Sequence, residues 1–589
     1  MPFADPRYRG ALLRRGHSMG WALLLAGTVS PAGFAAELVP REPTGQSELI
    51  KEDQRLRQKP NLSRPAPIDV VPNGRRAIKS VPGLKVEVKA FRFSGLTVVP
   101  PERLQPLVEK HVGANKTFDD LQAAAEAVSE YLQQQGYVVA QAYLPEQNLE
   151  GGTVEIAVLE GRLAQVRVDM EPEVRVSRHI VEGLLSPLEP GTVMHRDVLE
   201  RALFLVSDLR GVNVRSSVEP GPTPGTSNLV VKVTPGRRLE AQVEFDNHSS
   251  RFTGDYRLGA GLNINSPFRR GDLLSFRGLL GVPGGSADLD FGRVSYLTPL
   301  GNYGTKVGAA YLRLNYNLGT SLFSGLDQSG TTEVISLFAL HPIVRTRNLN
   351  LFGQASFDVR EFVDDRRAVS IMSERKTKVG TFSLVGDSRD AGLGGGINNF
   401  SLAVTVGDLD IQSAADRAAD QSTLGRRSLG SYQRLNGTVT RLNALTDTTQ
   451  VFASYTFQFA SKNLDASEKI GLGGPNAVRA YAVGEATSDE GHILTAEARY
   501  GLPRWEWLPG NLVAAAFFDW AHGEVNKDPL PLDAGRNTRT LSGAGLGLTW
   551  ARNDDFFVRA SLAWRLTGAP SSDPVDRKPR LYFQMQKNL

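Results

Sequence analysis

Cysteine is absent from the 589 residues, and no stretch reaches 18 consecutive apolar residues. The first absence excludes a disulfide scaffold and thiol chemistry, and the second excludes a membrane-spanning α-helix. Neither sign of charge dominates, because the chain has 67 basic and 63 acidic side chains. A chain so balanced carries no basic footprint for nucleic acid, so we expect no nucleic-acid partner.

Signatures of catalysis are also missing. The 8 histidines form no metal-spaced cluster such as H-E-x-x-H, and the nucleophile motif G-x-S-x-G does not occur. The glycine-rich stretch 392–396 lacks the lysine and the helix of a phosphate-binding loop. We therefore predict no catalytic residue, no metal site and no cofactor, and we expect that the protein is not an enzyme.

Residues 1–35 have the layout of a secretory signal peptide. A basic region precedes an apolar run at 19–29, and Gly33 and Ala35 supply the small residues that a signal peptidase reads. The basic region contains Arg7, Arg9, Arg14 and Arg15. The mature chain is therefore expected to leave the cytosol.

Two short segments follow the predicted cleavage site. Within the polar region 36–59, residues 47–59 are good helix formers behind a serine suited to the N-cap. Residues 60–82 carry five prolines and are typical of an extended linker. A single helix on such a tether buries too little apolar surface to fold alone, so it either docks elsewhere or remains a mobile polar tail.

Residues 83–236 have the pattern of two α/β modules in tandem, 83–162 and 163–236, each with the order β-α-α-β-β. In the second helix of the first module, an apolar stripe recurs at helical spacing, and Gly136 follows in the position that ends helices. Predicted elements of the first module are a strand at 86–93, helices at 104–112 and 118–135, and strands at 137–143 and 153–159. Those of the second are a strand at 164–168, helices at 179–185 and 196–207, and strands at 212–218 and 228–233.

Residues 237–589 alternate apolar and polar side chains at period two. Near the end, one face carries Phe556, Val558, Ala560, Leu562 and Trp564, and the other carries Arg559, Ser561 and Arg565. A soluble sandwich shows alternation as well. We favour an all-β transmembrane barrel because the region is long and unbroken, aromatics lie near strand ends, and the last segment is a strand that can close on the first. At about 10 residues per strand plus loops, the region holds roughly 16 antiparallel strands around a polar lumen. The helix at 47–59 is the natural candidate to plug that lumen.

Local motifs at residues 145–147, 160–162, 473–481 and 517–519 resemble those of the two-partner secretion transporters (TpsB family, haemolysin activation/secretion type), which belong to the Omp85 superfamily. Both modules are similar to POTRA domains, the first by Pro145-Glu146-Gln147 and Glu160-Gly161-Arg162. The most specific match is the stretch 473–481, with Gly473, Gly474, Val478, Arg479, Ala480 and Tyr481. Ala480 stands where the family has glycine.

The resemblance implies a location, a function and a pair of residues. The barrel would lie in the outer membrane of a Gram-negative bacterium with its POTRA domains in the periplasm, and would secrete a large TpsA-like exoprotein without ATP. Outer-membrane lipid, lipopolysaccharide and the barrel assembly machinery are the other expected partners. A loop carrying Arg479 would fold into the lumen and pair with Asp519, on the face shared by Phe517. Such a pair would be partly hydrated and worth about 1 kcal/mol unless water is largely excluded. The alternatives are an Omp85-type insertase of other barrels and a porin-like channel.

Overall fold

The computed structural model describes residues 49–50, 52, 69–70, 85–149, 151–250, 252–282, 288–319, 327–531, 537–570 and 575–589. The predicted signal peptide, most of the predicted helix at 47–59 and most of the linker at 60–82 lie outside them. A two-residue strand, β1 (Asp69–Val70), comes from the linker region. None of the described helices combines the length and the apolar character needed to cross a bilayer.

The first α/β module packs one long helix on a three-stranded sheet. Its elements are β2 (Lys85–Val88), β3 (Ala90–Ser94), α1 (Gln105–Val108), β4 (Gly113–Thr117), α2 (Phe118–Gln134), β5 (Gln141–Tyr143) and β6 (Thr153–Leu159), with 3-10 turns at Pro101–Arg103 and Glu109–His111. Helix α2 begins with a capping box in which Thr117 Oγ1 accepts from the Asp120 N–H and the Asp120 carboxylate accepts from the Thr117 N–H. Its apolar stripe is buried against the sheet, whose strand order is β3–β6–β5.

Three sequence predictions in this module were wrong in detail. The single strand expected at 86–93 is divided at Lys89 into β2 and β3, which pair with different partners. The helix expected at 104–112 is a single α-turn flanked by 3-10 turns, because Val112 is extended and Gly113 has φ of 129°. The chain then forms β4, which pairs with β2 and was not predicted. The strand expected at 137–143 starts only at β5, since the N–H of Tyr137 donates back to the carbonyl of Leu132 and keeps that part in a turn.

The second α/β module is a four-stranded sheet covered by two helices. Its elements are β7 (Arg162–Met170), α3 (Arg178–Leu185), α4 (Arg196–Ser207), β8 (Val212–Pro220) and β9 (Thr226–Pro235). The strand order is β1–β8–β9–β7, and β1 pairs in parallel with β8. A linker segment in this sheet was not predicted.

Sixteen antiparallel strands form a closed barrel, which confirms the predicted fold class. The strands are β10 (Leu239–Asp246), β11 (Tyr256–Asn265), β12 (Leu273–Val282), β13 (Asp288–Leu300), β14 (Thr305–Asn317), β15 (Gln328–Arg345), β16 (Leu349–Arg366), β17 (Ile371–Asp390), β18 (Gly396–Ile411), β19 (Gly430–Ala444), β20 (Thr449–Ala460), β21 (Glu490–Gly501), β22 (Asn511–Glu524), β23 (Thr538–Arg552), β24 (Phe556–Thr567) and β25 (Arg580–Asn588). Each strand pairs with its sequence neighbours, and β25 pairs with β10 from Gln242↔Asn588 to Asp246↔Gln584. Closure leaves no unpaired edge in lipid.

The two faces of the barrel wall differ as the alternation predicts. Large apolar side chains such as Leu258, Phe382 and Leu546 are exposed on the outside, where they would meet acyl chains. Polar side chains such as Arg360 and Asp519 are buried on the inside. The inner face of the wall is therefore charged and yet buried, so other segments of the chain must lie against it. These segments define the candidate site.

Candidate functional site: the barrel lumen and its occupants

A long loop, 461–489, connects β20 to β21 and lies against the inner wall of the barrel. Leu472, Val478 and Tyr481 of this loop are each at most 1% exposed. They pack in one cluster with side chains of β22, β23 and β24: Phe517, Ala521, Leu541 and Ala563. The loop is thus seated by apolar contact and is not suspended in an open channel.

Arg479 lies at the centre of this contact. Its Nε donates to Asp519 Oδ2 at 2.8 Å, its Nη2 donates to Asp519 Oδ1 at 2.8 Å, and its backbone N–H donates to Oδ2 at 3.1 Å. Its Nη1 donates to Glu497 Oε1 at 2.7 Å, and the guanidinium lies 3.4 Å from the ring centroid of Phe517. The planar fork of arginine suits such two-pronged binding of a carboxylate together with ring stacking, which a lysine could not reproduce.

The pair is more buried than the sequence suggested. The side chain of Asp519 has no exposed area and that of Arg479 is 12% exposed, so water is largely excluded from the pair. Asp519 also accepts from Thr495 Oγ1 at 3.0 Å. Removing the arginine side chain would leave this buried carboxylate with only the described hydrogen bonds from Thr495 and from the backbone N–H at position 479, and breaking a buried pair typically costs about 3–5 kcal/mol.

The residues beside Arg479 fit the wall closely. A Cβ added to Gly543 of β23 would lie 2.5 Å from the Cβ of Ala480, so the alanine at 480 is accommodated only because position 543 is glycine. Tyr481 donates from its hydroxyl to the carbonyl of Gly568 at 2.8 Å, and the Tyr582 hydroxyl donates to the carbonyl of Tyr481 at 2.8 Å.

The two glycines at the base of the tip allow a tight turn. Gly474 has φ of 123°, in a region that favours glycine, and its N–H donates to the carbonyl of Val478. A Cβ on Gly473 would lie 2.6 Å from the Cβ of Glu485 and 2.7 Å from a backbone oxygen. The structure therefore places Val478, Ala480 and Tyr481 in one cluster with Phe517, and Arg479 against Asp519, whereas Gly473 and Gly474 lie at the base of the turn.

Further ion pairs hold the rest of the loop, and no sequence motif pointed to them. Asp465 pairs with Arg375 at 2.6 Å, and Glu485 pairs with Arg539 at 3.0 Å. Glu468 pairs with Arg360 of β16 and with Arg434 of β19. The only signal was a charged residue at an inward position of a strand, which does not reveal its partner.

The N-terminal residues contact the opposite part of the wall. Glu52 accepts from Arg257 Nη1 at 3.2 Å and from Arg277 Nη2 at 2.8 Å. These two arginines are also paired with wall carboxylates, Arg257 with Asp246 and Arg277 with Glu244. Leu49 packs in a cluster with inward side chains of β12 to β15, including Leu279, Leu289, Phe291, Leu312 and Val334. The described N-terminal residues thus contact the wall from β11 to β15, while the loop 461–489 contacts it between β16 and β25.

The second module is fixed to one rim of the barrel. Arg345, at the end of β15, donates from Nη2 and Nε to the two carboxylate oxygens of Asp208 at 2.7 and 2.9 Å, and lies 4.5 Å from the ring of Phe204. Arg201 donates to the carbonyls of Pro342 and Ile343, and burial lowers the pKa of its guanidinium from the ordinary value. The module is therefore held at the mouth of the lumen.

The predicted motif 160–162 lies between the two modules. Glu160 accepts from the Thr97 and Val98 N–H groups, and from Arg162 Nη2 at 3.0 Å. Arg162 also donates to the carbonyl of Gly191 in the second module at 3.0 Å. Gly161 has φ of 73°, and a Cβ there would lie 2.1 Å from a methyl of Val139. The motif therefore links the two modules through hydrogen bonds on both sides of their junction.

The other predicted motif, 145–147, lies beside β6. The Gln147 side chain accepts from the Glu155 N–H at 2.6 Å and donates to the Glu155 carbonyl at 2.8 Å, so it continues the pairing where β5 has ended. Pro145 is half-buried and Glu146 is exposed. Within the described ranges, no group of three or more His, Asp and Glu side chains is placed to hold a metal ion.

Comparisons with known proteins match both parts of the chain. Residues 225–550 match the family described as "Haemolysin secretion/activation protein ShlB/FhaC/HecB", and residues 86–161 match "POTRA domain, ShlB-type". The heme/hemopexin transporter protein HuxB of Haemophilus influenzae (strain 86-028NP) is 28% identical over 473 residues, which are 79% of this chain and 80% of the relative. The outer membrane transporter CdiB of Escherichia coli O6:K15:H31 is 24% identical over 518 residues, which are 86% of this chain and 82% of the relative.

Two solved structures have the same fold. CdiB from Escherichia coli superposes with a TM-score of 0.70 at 20% identity, over 94% of this chain and 100% of that one. CdiB from Acinetobacter baumannii superposes with a TM-score of 0.60 at 18% identity, over 92% of this chain and 97% of that one.

Proposed function

Since the chain belongs to the haemolysin secretion/activation protein family and is an outer-membrane transporter for two-partner secretion, we propose that its periplasmic modules capture one extended exoprotein and pass it through the barrel. The barrel lies in the outer membrane of a Gram-negative bacterium, and the POTRA domains lie in the periplasm. Members of this family transport large TpsA-like exoproteins, and we expect a cargo of that kind.

The docked second module is the observation that carries the proposal. The buried Asp208–Arg345 pair, with 8% and 0% of its side chains exposed, fixes this module at the barrel mouth. A segment bound to the module is therefore held next to the entrance of the lumen. A diffusion channel for small solutes has no need for such a platform.

Export needs a driving force that is present in the periplasm, where there is no ATP. The chain has no phosphate-binding loop. We propose that folding of the exoprotein outside the cell draws the chain forward. On this proposal the protein is a conduit and not an enzyme.

Both lumenal segments have roles in this scheme. We propose that the Arg479–Asp519 pair positions the loop 461–489 so that the conduit has a defined inner surface. We propose that the N-terminal helix is a plug that Glu52 fastens to Arg257 and Arg277, and that leaves when cargo enters. The plug proposal is supported by the ion cluster of Glu52, Arg257 and Arg277 on the wall opposite the loop.

We also propose that the outer wall contacts outer-membrane lipid and lipopolysaccharide, and that the barrel assembly machinery inserts the protein. Support for the lipid contact comes from exposed apolar side chains on the outer face, among them Ile335 and Leu337 of β15.

Deleting the gene in its own host tests the function. We expect one very large protein to disappear from the culture medium, as detected by mass spectrometry, and to return when the wild-type gene is supplied. An insertase would instead show as loss of several other barrel proteins from the outer membrane. A porin-like channel would show as slower uptake of small solutes with an unchanged medium.

A further inference from the structure

The edge strands of the two modules differ in what covers their backbone. In the first module, the Phe91 carbonyl on β3 accepts from Gln105 Nε2 at 3.1 Å. On β5, the Ala142 N–H donates to Ser129 Oγ at 2.8 Å, and Gln133 Nε2 donates to the Ala140 carbonyl next to the strand at 3.2 Å. Side chains of the module's own helices thus hydrogen-bond to backbone groups that an added strand would need for pairing.

The outer strand β7 of the second module is occupied in a similar way. Arg178 Nη1 donates to the Val168 carbonyl at 2.9 Å. The Leu163 N–H donates to the carbonyl of Thr192, and the Leu163 carbonyl accepts from the Gly191 N–H. An incoming strand would have to break these bonds, which belong to the module itself.

The edge of β8 is covered by another strand. Asp69 pairs with Ser217 and Val70 pairs with Val218, in parallel. The described pairing involves Ser217 and Val218 of the 9 residues of β8. The cover also comes from the linker region that precedes both modules, and not from a helix of the second module itself.

We propose that the edge of β8 is the site where the exported polypeptide binds as an added strand, and that β1 occupies this site until cargo displaces it. The inference rests on the proposed secretion function. Strand addition is recognised through backbone N–H and carbonyl groups, so it suits an unfolded partner of variable sequence. A cargo segment that pairs along the whole of β8 can form backbone hydrogen bonds over its 9 residues, and it competes with the linker segment for the same edge.

The edge of β8 also belongs to the part of the module that is fixed to the barrel. β8 follows α4, the helix that carries Asp208 next to its end and Phe204 within it, and both contact Arg345 at the barrel rim. A polypeptide held on β8 is therefore delivered by the part of the module that is fixed to the barrel.

A disulfide between β1 and β8 tests the inference in the full-length protein. The chain has no cysteine, so a pair introduced as Asp69→Cys and Ser217→Cys has no other thiol in the same chain to bond with. Paired strands lie about 4.8 Å apart, within the roughly 4.4–6.8 Å between Cα atoms that a disulfide allows. The probe is the exoprotein that deletion of the transporter removes from the medium.

With the disulfide closed, we expect secretion of that exoprotein to fall at least ten-fold, and to recover when a reductant is added. The matched control is Asp169→Cys with Lys232→Cys, a parallel pair that joins β7 to β9 and leaves the β8 edge untouched. The control should secrete as the wild type does. Normal secretion through the closed Asp69–Ser217 variant would overturn the inference.

A photo-crosslinking side chain at position 217 gives a second measurement that does not depend on disulfide formation. We expect it to label the exoprotein during secretion. The same group at Gln141, on the edge strand of the first module, should label it less. Stronger labelling at 141, or labelling at neither position while secretion continues, would overturn the inference but leave the proposed function standing. If deletion removes no exoprotein from the medium, the proposed function itself is wrong.

Discussion

Arg479 and Asp519 are joined by three hydrogen bonds, two from the guanidinium and one from the backbone N–H of the same arginine. The backbone bond fixes the course of the loop, and the side-chain bonds fix the rotamer. One buried carboxylate on β22 therefore determines both the position and the orientation of the loop tip. This relationship makes the pair the first target for mutation.

Arg479→Ala and Asp519→Ala should each reduce secretion at least ten-fold while the barrel still assembles. Each removes one partner of a buried pair, which typically costs about 3–5 kcal/mol. Secretion is measured by immunoblot of the medium, and assembly by the heat-dependent gel shift of barrels. Exchanging the two residues should restore part of the secretion. Arg441→Ala, which breaks the more exposed pair with Asp390, is the control and should have little effect. Wild-type secretion from both single variants would refute the positional role.

Gly543→Ala should also impair secretion, through packing. The new Cβ would lie 2.5 Å from that of Ala480, and overpacking of this kind typically costs about 1–3 kcal/mol. Ala480→Gly removes the second methyl group, so the double variant should regain most of the lost secretion, and Ala480→Gly alone should behave as the wild type. If the double variant is no better than Gly543→Ala, the two residues are not in the predicted contact.

Glu52→Ala should open the lumen more often. The change removes both contacts from Arg257 and Arg277 to the N-terminal segment, while each arginine keeps its partner on the wall. We expect higher mean conductance in planar bilayer recordings. Glu361→Ala, which removes an exposed pair with Lys376, is the matched control. Equal conductance of Glu52→Ala and the wild type would contradict the plug proposal.

Asp208→Ala should loosen the second module from the barrel. The guanidinium of Arg345 is fully buried, so loss of the Asp208 carboxylate leaves a positive charge that Asn350 compensates in part. We expect this to destabilise the contact by roughly 3 kcal/mol. Hydrogen–deuterium exchange should become faster in the turn 346–348, and secretion should fall. Asp169→Ala removes an exposed carboxylate of the same module and should change neither readout. Unchanged exchange in the Asp208 variant would show that other contacts hold the module.

Much of the fold could be predicted because the signals are local. Alternation at period two predicts which side chains face lipid, and Leu258 and Asp519 lie on the faces it assigns to them. The boundaries of short elements were less predictable. The break after α1 depends on Gly113 and on pairing with β2, a contact between segments that are apart in the sequence.

The candidate site was predictable only where a motif resembled a known family. Arg479 and Asp519 could be paired in this way, whereas the pairs of Arg360 with Glu468 and of Arg345 with Asp208 could not. A charged residue at an inward position has many possible partners, and the sequence alone does not rank them. The burial of the Arg479–Asp519 pair was underestimated for the same reason, because enclosure depends on what packs around it.

The amino-acid sequence by itself determined the two modules and the barrel, since side-chain periodicity decides which faces meet lipid, core or lumen. Only the tertiary structure decided which side chains hold the lumenal segments to the wall and that Asp69–Val70 completes a sheet in the second module. These contacts join residues far apart along the chain, and their free energy depends on burial and geometry that no local pattern encodes.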